Sequence, residues 1–321
     1  MAPIKTVAVL GGSTGNLGPS LIHALHNAGF TVTAITRPSP TPSTNTTTTT
    51  TNPPTPNLPP DTRTLTADYA SVESLTAAFS GQDAVVSAVG TQAVGTQHTA
   101  VDAAVAAGVQ RFVPSEFGIH TRLVRERPIG RVLAGKVGVV DYLEGVVERT
   151  GGEGGLSWTG VSTGLFFDWG LERSGLGTVN IKDKTATVID SGDEKWYAST
   201  LAQIGRVVAG ILKHPDETAN KYIATASFNL SQNELIAIVE ELTGWKLAVT
   251  KIKSADLQQS GEAKLAAGDY SAFVDLLRAH NSADGAGNGL PEEESANGLI
   301  GVPYEDVRES VKSWLQREGA L

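Results

Sequence analysis

The sequence predicts an α/β protein with a doubly wound parallel sheet, in which helices cover both faces. The first 160 residues alternate short apolar runs with longer amphipathic patterns, which is typical of strands joined by helical crossovers. A glycine-rich segment directly after the first apolar run is a second indication, because sheets of this kind often carry one there. The chain has 321 residues, 40% of them hydrophobic and 18% charged, so it can bury a sizeable core.

The predicted elements of this half follow one another regularly. Residues 4–10 form the first predicted strand, and residues 17–28 form the first helix, which Gly29 ends. The later strands are predicted at 31–36, 65–66, 83–89, 110–113 and 156–161, with helices at 71–79, 93–107 and 132–149. Right-handed crossovers would give these strands the order 3-2-1-4-5-6 in the sheet.

Residues 38–61 interrupt this order. They are rich in proline, contain a threonine run at 46–51 and have almost no apolar side chains. Such a segment buries too little surface to offset the entropy lost on ordering, so we expect a disordered loop. We interpret it as an insertion without a role of its own; a binding tail is the alternative.

The second half, residues 161–321, has a less regular pattern and predicts a smaller, α-rich domain that binds substrate. The first domain would then span 1–160. Helices are predicted at 200–212, 231–242 and 307–317, and a polar loop at 282–298. The helix at 231–242 begins with a capping box of Ser231 and Glu234 and ends at Gly244.

Composition excludes several classes of function. A net charge of −9 argues against a nucleic-acid surface, and the lack of cysteine excludes disulfides, thiolate zinc sites and a cysteine nucleophile. His23 and His26 have a metal-ligand spacing but no third ligand, so we expect no metal. The apolar run Thr6–Leu10 is too short for a signal segment, and no run approaches a membrane span, so we expect a cytoplasmic protein. The oligomeric state stays open.

The glycine-rich segment predicts a dinucleotide site of the Rossmann type. Gly12 would allow the tight turn, Gly15 would let main-chain amides reach a pyrophosphate, and Gly18 would let helix and strand pack closely. The helix that follows supplies unpaired N–H groups and the positive end of its dipole. The predicted contact residues are Gly12, Ser13, Thr14, Gly15, Asn16, Leu17 and Gly18.

The ends of two further strands indicate which dinucleotide binds. Arg37 follows the second strand, where NAD-specific folds usually place an acidic residue, and it can bind a 2′-phosphate. We therefore predict NADPH as the cofactor. Ser87, Val89 and Gly90 close the fourth strand and would pass beneath the dinucleotide. Asp68 would either approach the adenine or cap the helix that starts near Ser71.

Several of these segments together resemble the isoflavone-reductase-like and NmrA-like proteins, which are atypical members of the short-chain dehydrogenase superfamily. They are the glycine loop, Thr36-Arg37, Ser87-Ala-Val-Gly90, Arg111-Phe-Val-Pro-Ser-Glu-Phe-Gly118 and the fungal-type Phe166-Phe-Asp-Trp-Gly170. The resemblance extends to about residue 170. It implies a Rossmann core, NADPH and reduction of an aromatic, enone or ketone-type small molecule.

The resemblance also implies a lysine for proton transfer. Family enzymes carry one at the start of the helix after the Pro-Ser-Glu-Phe-Gly string, and Lys136 matches it, although Gly138 and two valines replace the usual basic neighbours. No tyrosine here has a lysine four residues later, so the pair of ordinary short-chain dehydrogenases is absent. Hydride would come from the nicotinamide, with Lys136 handling the proton. The alternative is a solvated helix lysine.

Aromatic side chains mark a candidate wall for the substrate. Phe117, Phe166, Phe167 and Trp169 would contact a flat substrate, or they would pack in the core; His120 would donate a proton from beside the same string. A second class of function is a non-catalytic sensor of the NmrA kind, which binds the dinucleotide and acts through protein partners. Lys136 and the aromatic residues favour the enzyme.

Overall fold

The computed structural model describes residues 2–12, 15–38, 58–150, 155–172 and 178–321. Ser13 and Thr14, two of the predicted cofactor contacts, lie outside the described residues. So do residues 39–57, which make up most of the predicted insertion.

The first half alternates strands with helices, as predicted. Its strands are β1 (Thr6–Leu10), β2 (Thr31–Thr36), β3 (Arg63–Thr66), β4 (Ala84–Ser87), β5 (Arg111–Val113) and β6 (Ser157–Ser162). Its helices are α1 (Gly18–Asn27), α2 (Val72–Phe79), α3 (Gln97–Ala106), α4 (Pro128–Val132) and α5 (Ala134–Thr150). A 3-10 turn, Thr91–Thr96, forms the start of the helix predicted at 93–107, and α4 is not among the predicted helices.

The second half contains more elements than the sequence predicts. Its strands are β7 (Leu165–Phe166), β8 (Val179–Asn180), β9 (Thr185–Ile189), β10 (Trp196–Ser199), β11 (Lys221–Ala224), β12 (Phe228–Leu230) and β13 (Ala248–Ile252). Its helices are α6 (Phe167–Glu172), α7 (Leu201–Lys213), α8 (Gln232–Thr243), α9 (Ser254–Ala266), α10 (Ala272–Ser282) and α11 (Val307–Arg317). Helices α7, α8 and α11 match predictions, whereas α9 and α10 do not correspond to any.

The large sheet has the strand order β11-β6-β5-β4-β1-β2-β3, and every neighbouring pair within it is parallel. The predicted order 3-2-1-4-5-6 is confirmed, and β11 adds a seventh strand beside β6. Val9 of β1 lies opposite Ala34 and Val86, so β2 and β4 flank the first strand in register. The predicted doubly wound parallel sheet is therefore present.

Alternation along the strands sends side chains to two cores. Val7 and Val9 of β1 enter the core beneath α1 and α7, whereas Ala8 and Leu10 enter the core beneath α2, α3 and α5. Helix α7 lies so close to α1 that a Cβ on Gly205 would come within 2.6 Å of the Ala24 Cβ. Both faces of the sheet are thus covered, which is why its strands are almost continuously apolar.

The second half adds two small sheets and two further apolar clusters. Strands β12, β10 and β7 form one three-stranded sheet, and β13, β9 and β8 form the other. One cluster lies among α8, α11 and these sheets, and the other lies between α4 and α10. Because β11 and α7 belong to the large sheet and its core, residues beyond 160 complete it; the division into 1–160 and 161–321 stays a prediction.

Side-chain caps define two helix starts, and at α2 the cap is Ser71 rather than Asp68. The Ser71 hydroxyl accepts the Ser74 N–H at 3.1 Å and caps α2, whereas the Asp68 carboxylate accepts the Ala70 N–H at 2.9 Å within the preceding turn. Ser231 and Glu234 form the predicted capping box of α8, and Gly244 ends that helix with a φ of 70°. Among the described residues, no helix has the length and apolar character needed to cross a membrane.

Candidate cofactor and substrate cleft

A cleft of about 1040 Å³ opens at the carboxyl ends of β1, β2, β4 and β5. Ligands of open α/β sheets bind at this edge because the loops that follow the strands converge there. The first half supplies the glycine loop, Arg37, Ser115 to Ile119 and Lys136 to its lining. The second half supplies mainly apolar side chains, namely Leu165, Phe166, Phe167, Trp169, Trp196, Leu235, Phe273 and Leu277.

The glycine loop joins β1 to α1 with little room for side chains. Gly11 and Gly15 have φ values of 72° and 82°, a region that disfavours other residues. A Cβ on Gly18 would come within 2.5 Å of the Gly11 carbonyl oxygen, and one on Gly12 within 2.8 Å of the Ile22 side chain. Gly15, Asn16 and Leu17 line the cleft directly before α1, so the N-terminal end of this helix borders it, whereas Gly12 and Gly18 are not among the lining residues. Leu17 occupies the N-cap position and has no side-chain oxygen with which to cap the helix.

Arg37 and Tyr69 line the cleft beside this loop. The Tyr69 hydroxyl accepts the Gly11 N–H at 2.9 Å and donates to the Ile35 carbonyl at 2.6 Å. The guanidinium carbon of Arg37 lies 6.0 Å from the centre of the Tyr69 ring. Within the described part of the chain, Arg37 forms no ion pair. Its predicted contact with a 2′-phosphate stays a prediction.

The end of β4 forms the floor near the loop. Ser87 is fully buried, and its hydroxyl has no hydrogen-bond partner among the described residues. The Val89 carbonyl accepts the Ser115 hydroxyl at 2.7 Å, which ties this floor to the segment after β5. Gly90 lines the cleft, and a Cβ there would meet no atom within 4 Å. Val89 and Gly90 thus lie in the cleft, whereas Ser87 lies just beneath it.

Lys136 stands near the start of α5 and lines the cleft. Its ammonium group donates a hydrogen bond to the main-chain carbonyl of Glu116. Burial lowers the pKa of Lys136 from its ordinary value, and the negative charge of Glu116 partly opposes this effect. A lysine in this setting can donate a proton and take one back more readily than a solvated lysine can.

The Glu116 side chain belongs to a buried polar network. Its carboxylate accepts the Thr121 hydroxyl at 2.6 Å and the Tyr222 hydroxyl at 2.7 Å, and Glu116 is 1% exposed. Tyr222 belongs to β11, so the strand that the sequence did not predict reaches beneath the cleft. Burial and the Glu116 charge raise the pKa of Tyr222 well above its ordinary value, which keeps this hydroxyl protonated.

Phe117 adopts a strained backbone at the centre of the Pro-Ser-Glu-Phe-Gly string. Its φ is 38°, although its side chain is buried and it lines the cleft. Its N–H donates to the Val161 carbonyl at 3.0 Å, which holds this conformation against β6. Non-glycine residues in this region carry a conformational cost and are concentrated at functional sites.

His120 is not among the residues that line the cleft. Its ring stacks at 33° on the Tyr222 ring, with 4.4 Å between ring centres. Burial and the positive charge of Arg122 lower the pKa of His120. Its Nδ1 atom is buried without a hydrogen-bond partner among the described residues. His120 thus packs on Tyr222, outside the lining of the cleft, and its role as a proton donor stays a prediction.

The aromatic residues after β6 line the cleft and also pack against other rings, and their contact with a substrate stays a prediction. Phe166 and Trp169 line the cleft and meet edge to face, with 6.4 Å between ring centres. Phe167 also lines the cleft but is 3% exposed and packs edge-on against Phe228 at 4.8 Å. Phe166 is the more accessible of the two neighbours, so it is better placed to contact a ligand.

The sequence interpretation missed several residues of the cleft. Tyr69 and Thr121 of the lining escaped because their polar contacts join distant parts of the chain, and the same holds for Tyr222, which bonds Glu116 from outside the lining. Phe273 and Leu277 of α10 carry a signal that could have been found, since their spacing of four places both on one helix face. Trp196 and Leu235 lie in elements whose apolar residues are equally compatible with an ordinary core.

Comparison with known proteins identifies similar sequences across most of the chain. The model of the NmrA-like family matches residues 3–273. The oxidoreductase poxI of Penicillium oxalicum is 32% identical over 309 residues, which cover 95% of this chain and 92% of that protein.

Solved structures share the fold at lower identity. The structure of AtPrR2 with NADP+ and (+)pinoresinol has a TM-score of 0.74 at 21% identity and covers 98% of this chain and 99% of its own. The crystal structure of isoflavone reductase has a TM-score of 0.73 at 22% identity, and the match covers 97% of this chain and 99% of the isoflavone reductase chain.

Proposed function

The chain belongs to the NmrA-like family, and from this premise we propose that it is an NADPH-dependent reductase of an aromatic, enone or ketone-type small molecule. One observation carries the proposal: a half-buried lysine faces a large cleft that begins at a glycine loop. The similarity to poxI, itself an oxidoreductase, and the shared fold with a protein that binds NADP+ support it.

The residues at the loop end of the cleft fit NADPH. Gly15, Asn16 and Leu17 line the cleft at the N-terminal end of α1, where main-chain N–H groups can bind a pyrophosphate. Arg37 offers a charge without an ion-pair partner in the described part of the chain, which suits a 2′-phosphate. The buried, unpartnered Ser87 hydroxyl beneath the floor is consistent with a polar ligand nearby. When bound, NADPH supplies the hydride.

Lys136 manages the proton in this proposal. As an ammonium group it donates to the substrate oxygen that gains charge as the carbonyl or enone is reduced. The Glu116 carbonyl holds the ammonium in the cleft, and the lowered pKa makes the donation easier. The apolar wall of Phe166, Phe273 and Leu277 excludes water and favours a flat, aromatic substrate.

The test is oxidation of NADPH with a panel of quinones, enones and phenolic ketones. Lys136→Ala should lower kcat by at least about a hundredfold and leave the Kd for NADPH nearly unchanged, because positioned proton transfer contributes roughly 10²–10⁴-fold. Lys136→Arg should restore little, since a guanidinium does not give up its proton. Lys312→Ala, on the exposed side of α11, is the matched control.

Two outcomes would overturn parts of the proposal. An alanine variant that keeps more than a third of wild-type turnover would remove Lys136 from the mechanism. A wild-type protein that binds NADPH but oxidises it with no member of the panel would favour a dinucleotide sensor that acts through protein partners.

A further inference from the structure

Tyr69 lies where three parts of the predicted dinucleotide site meet. It follows β3 in the turn that leads to α2, and it is 6% exposed at the wall of the cleft. Its hydroxyl bridges the first residue of the glycine loop and the end of β2, while its ring faces Arg37. A single side chain thus contacts both the phosphate loop and the predicted 2′-phosphate residue.

The hydroxyl contact fixes the main chain of the loop. Gly11 donates its N–H to the Tyr69 hydroxyl at 2.9 Å and also lies 3.1 Å from the Ile35 carbonyl. Tyr69 donates to the same carbonyl at 2.6 Å, so the Gly11 amide, the Tyr69 hydroxyl and the Ile35 carbonyl are all hydrogen-bonded to one another. Gly11 has a φ of 72°, and its position sets the direction in which the loop leaves β1. The hydroxyl should therefore influence every dinucleotide that the loop binds.

The ring contact concerns Arg37 alone. The guanidinium carbon lies 6.0 Å from the ring centre, within the range in which an aromatic face attracts a cation. No carboxylate of the described residues pairs with Arg37, and within that part of the chain the Tyr69 ring is the group that faces its charge. Only NADPH carries the 2′-phosphate that Arg37 would bind, so loss of the ring should not affect NADH.

We propose that Tyr69 is a positioning residue with two separable effects: its hydroxyl sets affinity for both dinucleotides, and its ring sets the preference for NADPH over NADH. The inference rests on the proposed function, because it needs NADPH to bind in this cleft. It assigns a role in cofactor choice to a residue that does not itself have to touch the phosphate.

Two variants separate the effects, with Kd values for NADPH and NADH measured by fluorescence titration. Tyr69→Phe keeps the ring and should weaken both dinucleotides about fivefold, the value of one hydrogen bond, with an unchanged NADPH/NADH ratio. Tyr69→Leu removes the ring as well and should weaken NADPH a further two- to fivefold, the range of a cation–π contact. The ratio of NADPH affinity to NADH affinity should fall only in the leucine variant.

The same pair in an Arg37→Gln background completes a double-mutant cycle. In that background the Tyr69→Phe and Tyr69→Leu variants should have the same ratio of NADPH affinity to NADH affinity, because no guanidinium is left for the ring to attract. Thermal unfolding of the ligand-free proteins identifies any variant that is simply unstable. A changed ratio in Tyr69→Phe, or an unchanged ratio in Tyr69→Leu, would overturn the inference alone. If the wild-type protein binds neither dinucleotide, the proposed function fails and this inference fails with it.

Discussion

At the scale of single residues, the cleft is held by side chains that bind main-chain atoms. Tyr69 bonds the Ile35 carbonyl, Ser115 bonds the Val89 carbonyl, and Lys136 bonds the Glu116 carbonyl. The first two bonds join the segment at the end of one strand to the loop after another, and the third joins helix α5 to the loop after β5. Because these bonds fix the backbone before any ligand arrives, the cost of ordering the loops is met during folding rather than during binding.

Arg37 supplies the sharpest test of cofactor choice at this scale. Arg37→Ala should weaken NADPH binding by about 1.5–3 kcal/mol, the range for hydrogen bonds to a charged group, and should barely change the Kd for NADH. Arg63→Ala, an exposed arginine at the start of β3, is the matched control and should leave both Kd values alone. Equal weakening of both dinucleotides would mean that Arg37 has a structural role.

Local signals explain which of these residues the sequence predicts. Arg37 and the three glycines follow strands within a few residues, so the position of each strand is enough to locate them. The Tyr69 hydroxyl instead meets an amide 58 residues earlier in the chain, and the Tyr222 hydroxyl meets a carboxylate 106 residues earlier. No periodicity reports such contacts, since they exist only after the sheet has assembled.

At the scale of elements, the strength of the local sequence signal also separates the elements that were predicted from those that were not. Strands β1 and β4 are buried on both faces, so an apolar run between turns was enough to predict them. Helix α9 escaped because Gly261 is its one buried residue, and it therefore has no apolar stripe. Strands β7 and β8 have two residues each, too few for any alternation to be recognised.

Helix α10 should make the protein sensitive to acid. Burial and the positive charge of Arg127 lower the pKa of His280 from 6.5 to about 4. The folded protein thus binds this proton less tightly than the unfolded chain, and stability is lost as the pH falls from 6.5 towards 4. Between pH 7 and 4.5 His280 should account for about 2 kcal/mol of lost unfolding free energy.

Urea unfolding at these two pH values checks this prediction. His280→Gln cannot gain the proton, so the decrease in unfolding free energy between pH 7 and 4.5 should be smaller by about the same 2 kcal/mol. Carboxylates elsewhere titrate equally in both proteins and cancel in the comparison. A variant whose stability falls as steeply as that of the wild type would show that His280 is accessible to protons in the folded state.

At the scale of the whole molecule, the cleft depends on a chain that returns to its first half. After residue 160 the chain forms the cleft wall at Leu165 to Leu171 and then comes back as α7 and β11. Strand β11 pairs with β6 and places Tyr222 beneath Glu116. This return was not predictable, because β11 has four residues and its burial alternates only weakly.

The segment between β2 and β3 is the part of the molecule that we expect to be dispensable. Residues 41–57 contain no large apolar side chain, whereas Leu58 packs against the core beneath α1 and α7, and Asp61 pairs with His26 at 2.9 Å. The anchor of this connection therefore begins at Leu58, a few residues earlier than the end of the insertion predicted at 38–61. Without residues 41–57, the connection from Thr36 to Arg63 would keep residues 37–40 and 58–62.

Removing residues 41–57 should leave both the unfolding free energy and the Kd for NADPH nearly unchanged. The nine residues that remain can span roughly 30 Å when extended. The connection has to run from the end of β2 to the start of the parallel strand β3, a distance of about 13 Å, the length of that strand. Closing a shorter loop also loses less chain entropy, and the free-energy cost decreases by only about 0.6 kcal/mol for each halving of the loop length. Thermal unfolding and cofactor titration of the deletion variant measure both quantities.

Leu58→Ala, with the loop intact, is the contrasting variant and should lower stability by about 1 kcal/mol, because it uncovers apolar surface. A deletion variant that binds NADPH tenfold more weakly would show that the segment closes over the cofactor.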